Sequence, residues 1–127
     1  MKQSNKSDII CIGKVLRYIK LIGETYTMCG VTKKEDLLDN GVCQLAIAQA
    51  LTNVYEVKKR ISPTVLAKAP TFDKILLKAA RNIASHDYDS LDFRVVFDRT
   101  MQLLNKQVSS ELEAAINELR NNNEGNQ

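Results

Sequence analysis

Aliphatic residues recur at three- and four-residue intervals over most of this chain, and that spacing restricts it to helices. Ile9, Ile12, Leu16, Ile19, Gly23 and Tyr26 lie along one helical stripe, while Lys14, Arg17, Lys20 and Glu24 fall on other faces and mark a solvated side. A second run (Leu37, Leu38, Val42, Leu45, Ala46, Ala48, Leu51, Val54, Tyr55) is apolar around so much of its girth that it must be covered on more than one side. It is either the central core helix or a helix with one face turned to a second subunit. Phe72, Ile75, Leu76, Ala79, Ala80 and Ile83 define a third stripe, and Phe93, Val96, Phe97, Thr100, Leu104, Val108, Leu112, Ala115 and Leu119 a fourth. Aromatic residues make up only 6% of the chain and Trp is absent, so the core must be built from Leu, Ile, Val and Ala. At 127 residues, the expectation is one all-α domain over 1–127, an antiparallel bundle of four to five helices with flexible ends at 1–7 and 121–127.

The punctuation supports this division. Ser7 or Asp8 can cap the first helix, and Cys29-Gly30 ends it. Lys33 to Asp36 is a polar hinge before a second helix running from about Asp36 to Arg60. Its terminal Lys58, Lys59 and Arg60 suit the negative end of the helix dipole. Pro63 and Pro70 bracket a connector over Ile61–Pro70 that crosses the bundle end. Thr71 can cap the third helix, and Asp89 and Ser90 can open the last long segment. Ser110 with Glu113 fits a capping box, so that segment is either one helix kinked near Val108 or two helices.

Charge and cysteine content exclude more than they identify. A net charge of +3 permits contact with RNA without demanding it. Cys11, Cys29 and Cys43 are odd in number and widely spaced, which points to free thiols acting as small apolar groups in a reducing, cytoplasmic compartment. One histidine and three scattered cysteines match no zinc spacing, and no Gly-rich phosphate loop is present, so no metal or cofactor is expected. No apolar run approaches the roughly 20 residues that span a bilayer, and Met1 to Ser7 lacks the apolar core of a signal peptide.

The chemistry concentrates in Arg81-Asn82-Ile83-Ala84-Ser85-His86-Asp87-Tyr88, which holds the only histidine. Arginine offers phosphate oxygens a planar, permanently charged fork. Histidine, with an ordinary pKa of about 6.5, gives and takes protons near neutrality. The pair suits cleavage of RNA without metal: a base deprotonates a ribose 2′-hydroxyl, the oxygen attacks the adjacent phosphate, and a cation steadies the developing charge. Five residues along a helix separate Arg81 and His86 by about 140°. They can converge only if the helix ends near Ser85, where Asp87, Asp89 and Ser90 favour turns, or if a second copy completes the site.

The spacing Arg81-x4-His86-x-Tyr88, with Asn82 directly after the arginine, resembles the signature of the HEPN superfamily, and within it the HepT branch. The resemblance covers the chain from about Asp8 to about Leu119. It implies a homodimeric ribonuclease toxin in which Arg81 and His86 form the catalytic pair and Asn82 supports them. It also implies a nucleotidyltransferase antitoxin, of the MNT type, as partner, with Tyr88 as the acceptor of AMP. Tyr55-Glu56 departs from the family pattern, in which many relatives carry a small residue before the glutamate. A non-catalytic subunit that binds a nucleotide or a nucleotidyltransferase fits the same residues, and so does a helical dimer with no site at all.

Overall fold

The computed structural model of the chain describes residues 2–77 and 91–125. The described residues are all-α and contain no strand. Four longer helices are α1 (Lys2–Cys29), α3 (Gly41–Lys58), α6 (Phe93–Leu103) and α7 (Lys106–Gly125). Three short ones are α2 (Lys34–Leu38), α4 (Pro63–Leu66) and α5 (Pro70–Asp73).

The core forms where α1 lies against α3. Ile12, Val15, Ile19, Ile22 and Tyr26 of α1 bury with Cys43, Ile47, Ala48, Leu51, Val54 and Val57 of α3, each set keeping the three-and-four spacing of one helical face. The two helices are antiparallel. Asp8, near the start of α1, binds Ser62 just beyond the end of α3, and Cys29, the last residue of α1, contacts Cys43 in the first turn of α3. α7 covers the other side of α1 with Val108, Leu112, Ala115, Ile116 and Leu119, and α6 contributes Val96, Thr100 and Leu103. A fully buried Leu or Ile stabilises by about 1.5–3 kcal/mol, which is why the aliphatic stripes dominate the assembly.

The helix boundaries differ from the sequence expectation at several places, each for a physical reason. α1 already runs from Lys2, and Asp8 does not cap it: Asp8 is buried inside the helix and serves a different one. The second apolar run is broken into α2 and α3, because Asn40 accepts the Cys43 N–H at 2.9 Å and so starts a new helix. Gln44 seals the corner by donating to the carbonyls of Leu37 and Leu38 at 3.0 and 3.1 Å. In front of α2, the Asp36 carboxylate accepts the Thr32 and Lys33 N–H groups at 2.9 and 3.2 Å; the Thr32 N–H is the main reason its pKa is lowered. The final segment is two helices, but the break falls at Asn105, not near Val108. Asn105 Oδ1 accepts the Gln107 N–H at 2.9 Å, Ser110 lies inside the helix, and α7 continues to Gly125. The end of α1 at Cys29 agrees with expectation: Gly30 takes the left-handed conformation, φ 69°, that glycine adopts without a steric penalty.

One buried polar contact ties α1 to α6. The Tyr26 hydroxyl lies 2.5 Å from Thr100 Oγ1, and Thr100 Oγ1 is also within donating distance of the carbonyls of Val96 (3.1 Å) and Phe97 (2.9 Å). Because the threonine proton goes to its own helix, Tyr26 is the donor in the pair. Burial pushes the Tyr26 hydroxyl up to about 12, against the opposing effect of the Thr100 bond. Removing the two partners should therefore have unequal effects. Tyr26→Phe deletes a donor whose acceptor keeps its other bond, and is expected to cost about 1 kcal/mol in urea unfolding. Thr100→Val strands a buried phenol hydroxyl and is expected to cost about 2–3 kcal/mol. Equal losses, or the reverse order, would contradict this assignment.

Candidate functional site

Arg81, Asn82, His86 and Tyr88 all lie outside the described residues, as do Ala79, Ala80, Ile83, Asp89 and Ser90. What the structure does describe is the frame on either side of them. Leu77 before the segment and Leu91 after it are both buried, so the chain is anchored in the core at both flanks. Asp92 then caps α6 by accepting the Arg94 N–H at 3.0 Å.

The incoming flank corrects the expected third helix. The described α5 is a single turn, Pro70–Asp73, with Ala69 rather than Thr71 at its N-cap. Phe72 is fully buried from that one turn. After Lys74 the backbone leaves the helix, and burial alternates: Ile75 and Leu77 are buried while Leu76 is 66% exposed. Period-two burial is the mark of extended chain. Lys58 explains why the helix stops. Its ammonium donates to the carbonyls of Asp73 at 2.9 Å and Ile75 at 3.3 Å, lies 3.8 Å from the Asp73 carboxylate, and sits over the Phe72 ring at 5.3 Å. The cation at the end of α3 therefore satisfies carbonyls of another segment. Burial lowers its pKa, and the Asp73 charge partly restores it.

Two carboxylates hold the proline-bearing connector from outside. Asp8 of α1 accepts the Ser62 N–H at 3.0 Å and the Ser62 hydroxyl at 2.8 Å, at the entrance to α4. Glu111 of α7 accepts the Thr71 N–H at 2.9 Å and the Thr71 hydroxyl at 2.8 Å, at the entrance to α5. Pro63 and Pro70 each occupy the first position of their helices, where the missing N–H is no loss. The N–H groups of Ser62, at the N-cap of α4, and of Thr71, in the first turn of α5, are met by side chains distant in sequence. That pairing is invisible to local sequence reading, which gives Asp8 only a capping role and singles out no role for Glu111.

A groove of about 430 Å³ opens beside the incoming flank, lined by Tyr55, Lys58, Lys59, Leu66 and Leu76 among others. Its lining is mostly apolar, with two lysines and Asp73 as its charged groups. Lys59 pairs with Glu56 at 2.8 Å and lies 4.9 Å from the centre of the Tyr55 ring. The groove borders the entry to the Arg81–Tyr88 stretch by chain continuity, since Leu76 and Leu77 are part of its wall. Among the described residues, no group of three or more His, Cys, Asp or Glu is placed to hold a metal ion.

The Glu111 clamp has a signature in pH. The Gln107 side chain first, then the Thr71 N–H and hydroxyl, hold its carboxyl below the ordinary value of 4.5. A depressed carboxylate contributes stability above its unfolded pKa and loses it as pH falls through the folded one. Glu111→Gln is therefore expected to lower the Tm at neutral pH, with the gap to the parent closing as pH drops below about 4.5 in a thermal series. A gap that persists unchanged under acid would contradict the clamp.

Compared with known proteins, the chain matches no family model, no curated protein and no solved structure. The functional reading therefore rests on its own residues.

Proposed function

We propose that this chain is a metal-independent ribonuclease toxin of the HEPN type, held in check by a nucleotidyltransferase antitoxin that attaches AMP to Tyr88. The observation that carries the reading is the Arg81-Asn82-x3-His86-x-Tyr88 signature in an all-α bundle whose chain is anchored at Leu77 and Leu91 on either side of it. In this reading His86 takes the proton from a ribose 2′-hydroxyl, the freed oxygen attacks the adjacent phosphorus, and the 5′-oxygen leaves with a proton returned by an imidazolium. Arg81 binds the phosphate oxygens and stabilises the charge that builds up on them. Asn82 orients the pair. A homodimer would bring two such sets to one cleft and remove the angular conflict between Arg81 and His86.

The role of Tyr88 follows from charge. An attached AMP adds a nucleoside and a negative phosphate beside the place where RNA phosphate must bind, and so repels the substrate. The partner is accordingly an enzyme that transfers the adenylyl group of ATP to a tyrosine hydroxyl: the phenol oxygen attacks the α-phosphorus, pyrophosphate leaves, and the phenol proton goes to a base.

Two substitutions and one mass measurement test the reading together. His86→Ala and Arg81→Ala are each expected to reduce cleavage of single-stranded RNA by roughly 10²–10⁴-fold and to abolish toxicity in cells. Protein made beside its nucleotidyltransferase is expected to gain whole AMP units on the Tyr88 peptide. Parent protein that leaves RNA intact, with the His86→Ala form equally harmless in cells, would overturn the ribonuclease. Undiminished complex formation by a protein with no nuclease activity would point instead to a binding subunit.

A further inference from the structure

The corner where α1 meets α3 holds a pair of thiols that the ribonuclease chemistry does not use. Cys29 is the last residue of α1 and Cys43 lies in the first turn of α3, so the antiparallel packing of the two helices brings residues from opposite ends of the segment 30–42 to one point. The two side chains are neighbours, Cys29 packing against the cluster that holds Cys43, and both sulfurs are free thiols. Their environments differ. Cys43 is fully buried with Ile47 and Leu37 in the core, whereas Cys29 is half-buried and only packs against the core's edge. Met28, beside Cys29, is 87% exposed, and Val42, beside Cys43, is 77% exposed, so the corner lies at the protein surface. Cys11, the third cysteine, is buried on α1 near its start, far along the helix from this corner.

We propose that Cys29 and Cys43 form an oxidation site at which a hydroperoxide converts the thiol pair into a disulfide stapling α1 to α3. The order of events follows from exposure. The Cys29 thiolate attacks the peroxide oxygen, the O–O bond breaks, and an alkoxide or hydroxide leaves, giving a sulfenic acid on Cys29. Cys43 then attacks that sulfur. The S–S bond forms, the S–O bond breaks, and the hydroxyl departs with the Cys43 proton as water. The peroxide is reduced by two electrons and the thiol pair is oxidised by two. Burial, with the neighbouring Cys29 sulfur adding to it, pushes the Cys43 thiol up to about 12. Cys43 is therefore a poor first target for an oxidant and serves as the resolving thiol because it is the neighbour of Cys29. The staple closes the segment 30–42, which contains α2, and so restricts the unfolded chain.

The test uses the unmodified full-length protein treated with hydrogen peroxide, then alkylated and digested without reductant. The expected products are an intact mass lower by two hydrogens, a cross-linked peptide joining Cys29 to Cys43, and a Tm raised by roughly 5–15 °C that dithiothreitol reverses. Cys43→Ser under the same treatment is expected to stop at a sulfenic acid on Cys29 that dimedone captures. Three results would overturn the proposal: Cys29 gaining two or three oxygens while Cys43 stays alkylatable, a disulfide between two chains through Cys29, or both thiols unchanged at peroxide concentrations that oxidise exposed Met28.

Discussion

Burial of α3 against α1 is the interaction on which the rest of the molecule depends. Cys43, Ile47, Leu51 and Val54 have essentially no exposed surface, and the facing residues Ile12, Val15 and Ile22 have almost none. Interiors pack at crystal-like density, so this seam fixes the axial register of the two helices and leaves little freedom elsewhere. That register sets Asp8 opposite Ser62 at one end and Cys29 opposite Cys43 at the other. It also places Lys58, one turn past Val54, where it can reach the carbonyls that follow α5.

From that seam the path to the candidate site is a sequence of small polar fixtures. Helices of one turn cannot hold themselves together in water, since nucleation costs more than one turn returns. α4 and α5 persist because carboxylates from α1 and α7 hold Ser62 and Thr71 at their entrances and because Val65 and Phe72 are buried. The consequence is a firm footing for the chain as it reaches Leu77. Catalysis by paired side chains tolerates little misplacement, so a ribonuclease of the proposed kind needs such a footing more than it needs extra contacts with RNA.

Much of the fold was legible because aliphatic spacing reports helices directly. The stripe through Ile12, Ile19 and Tyr26 and that through Val108, Leu112 and Leu119 were read from spacing alone and are buried. The places that were not legible share a cause. Asn40, Asn105 and Lys58 end or start helices through side-chain bonds, and the apolar pattern runs on past them, so spacing alone does not mark the breaks. Asp8 read as a cap of its own helix because the partner it serves, Ser62, is far along the chain. Val42 and Leu45 leave an apolar outer face on α3. The Arg81–Tyr88 signature was legible as chemistry. Its residues lie outside the described ones, and the chain is buried at Leu77 before them and Leu91 after them.

The central functional claim is attack by a ribose 2′-hydroxyl on its neighbouring phosphate with no metal taking part. End-group analysis of RNA cut by the purified protein in excess EDTA tests it most directly. Undiminished cleavage leaving 2′,3′-cyclic phosphate and 5′-hydroxyl ends is the expected result. Ends bearing 3′-hydroxyl and 5′-phosphate, or cleavage that stops on chelation and returns with a divalent cation, would contradict it.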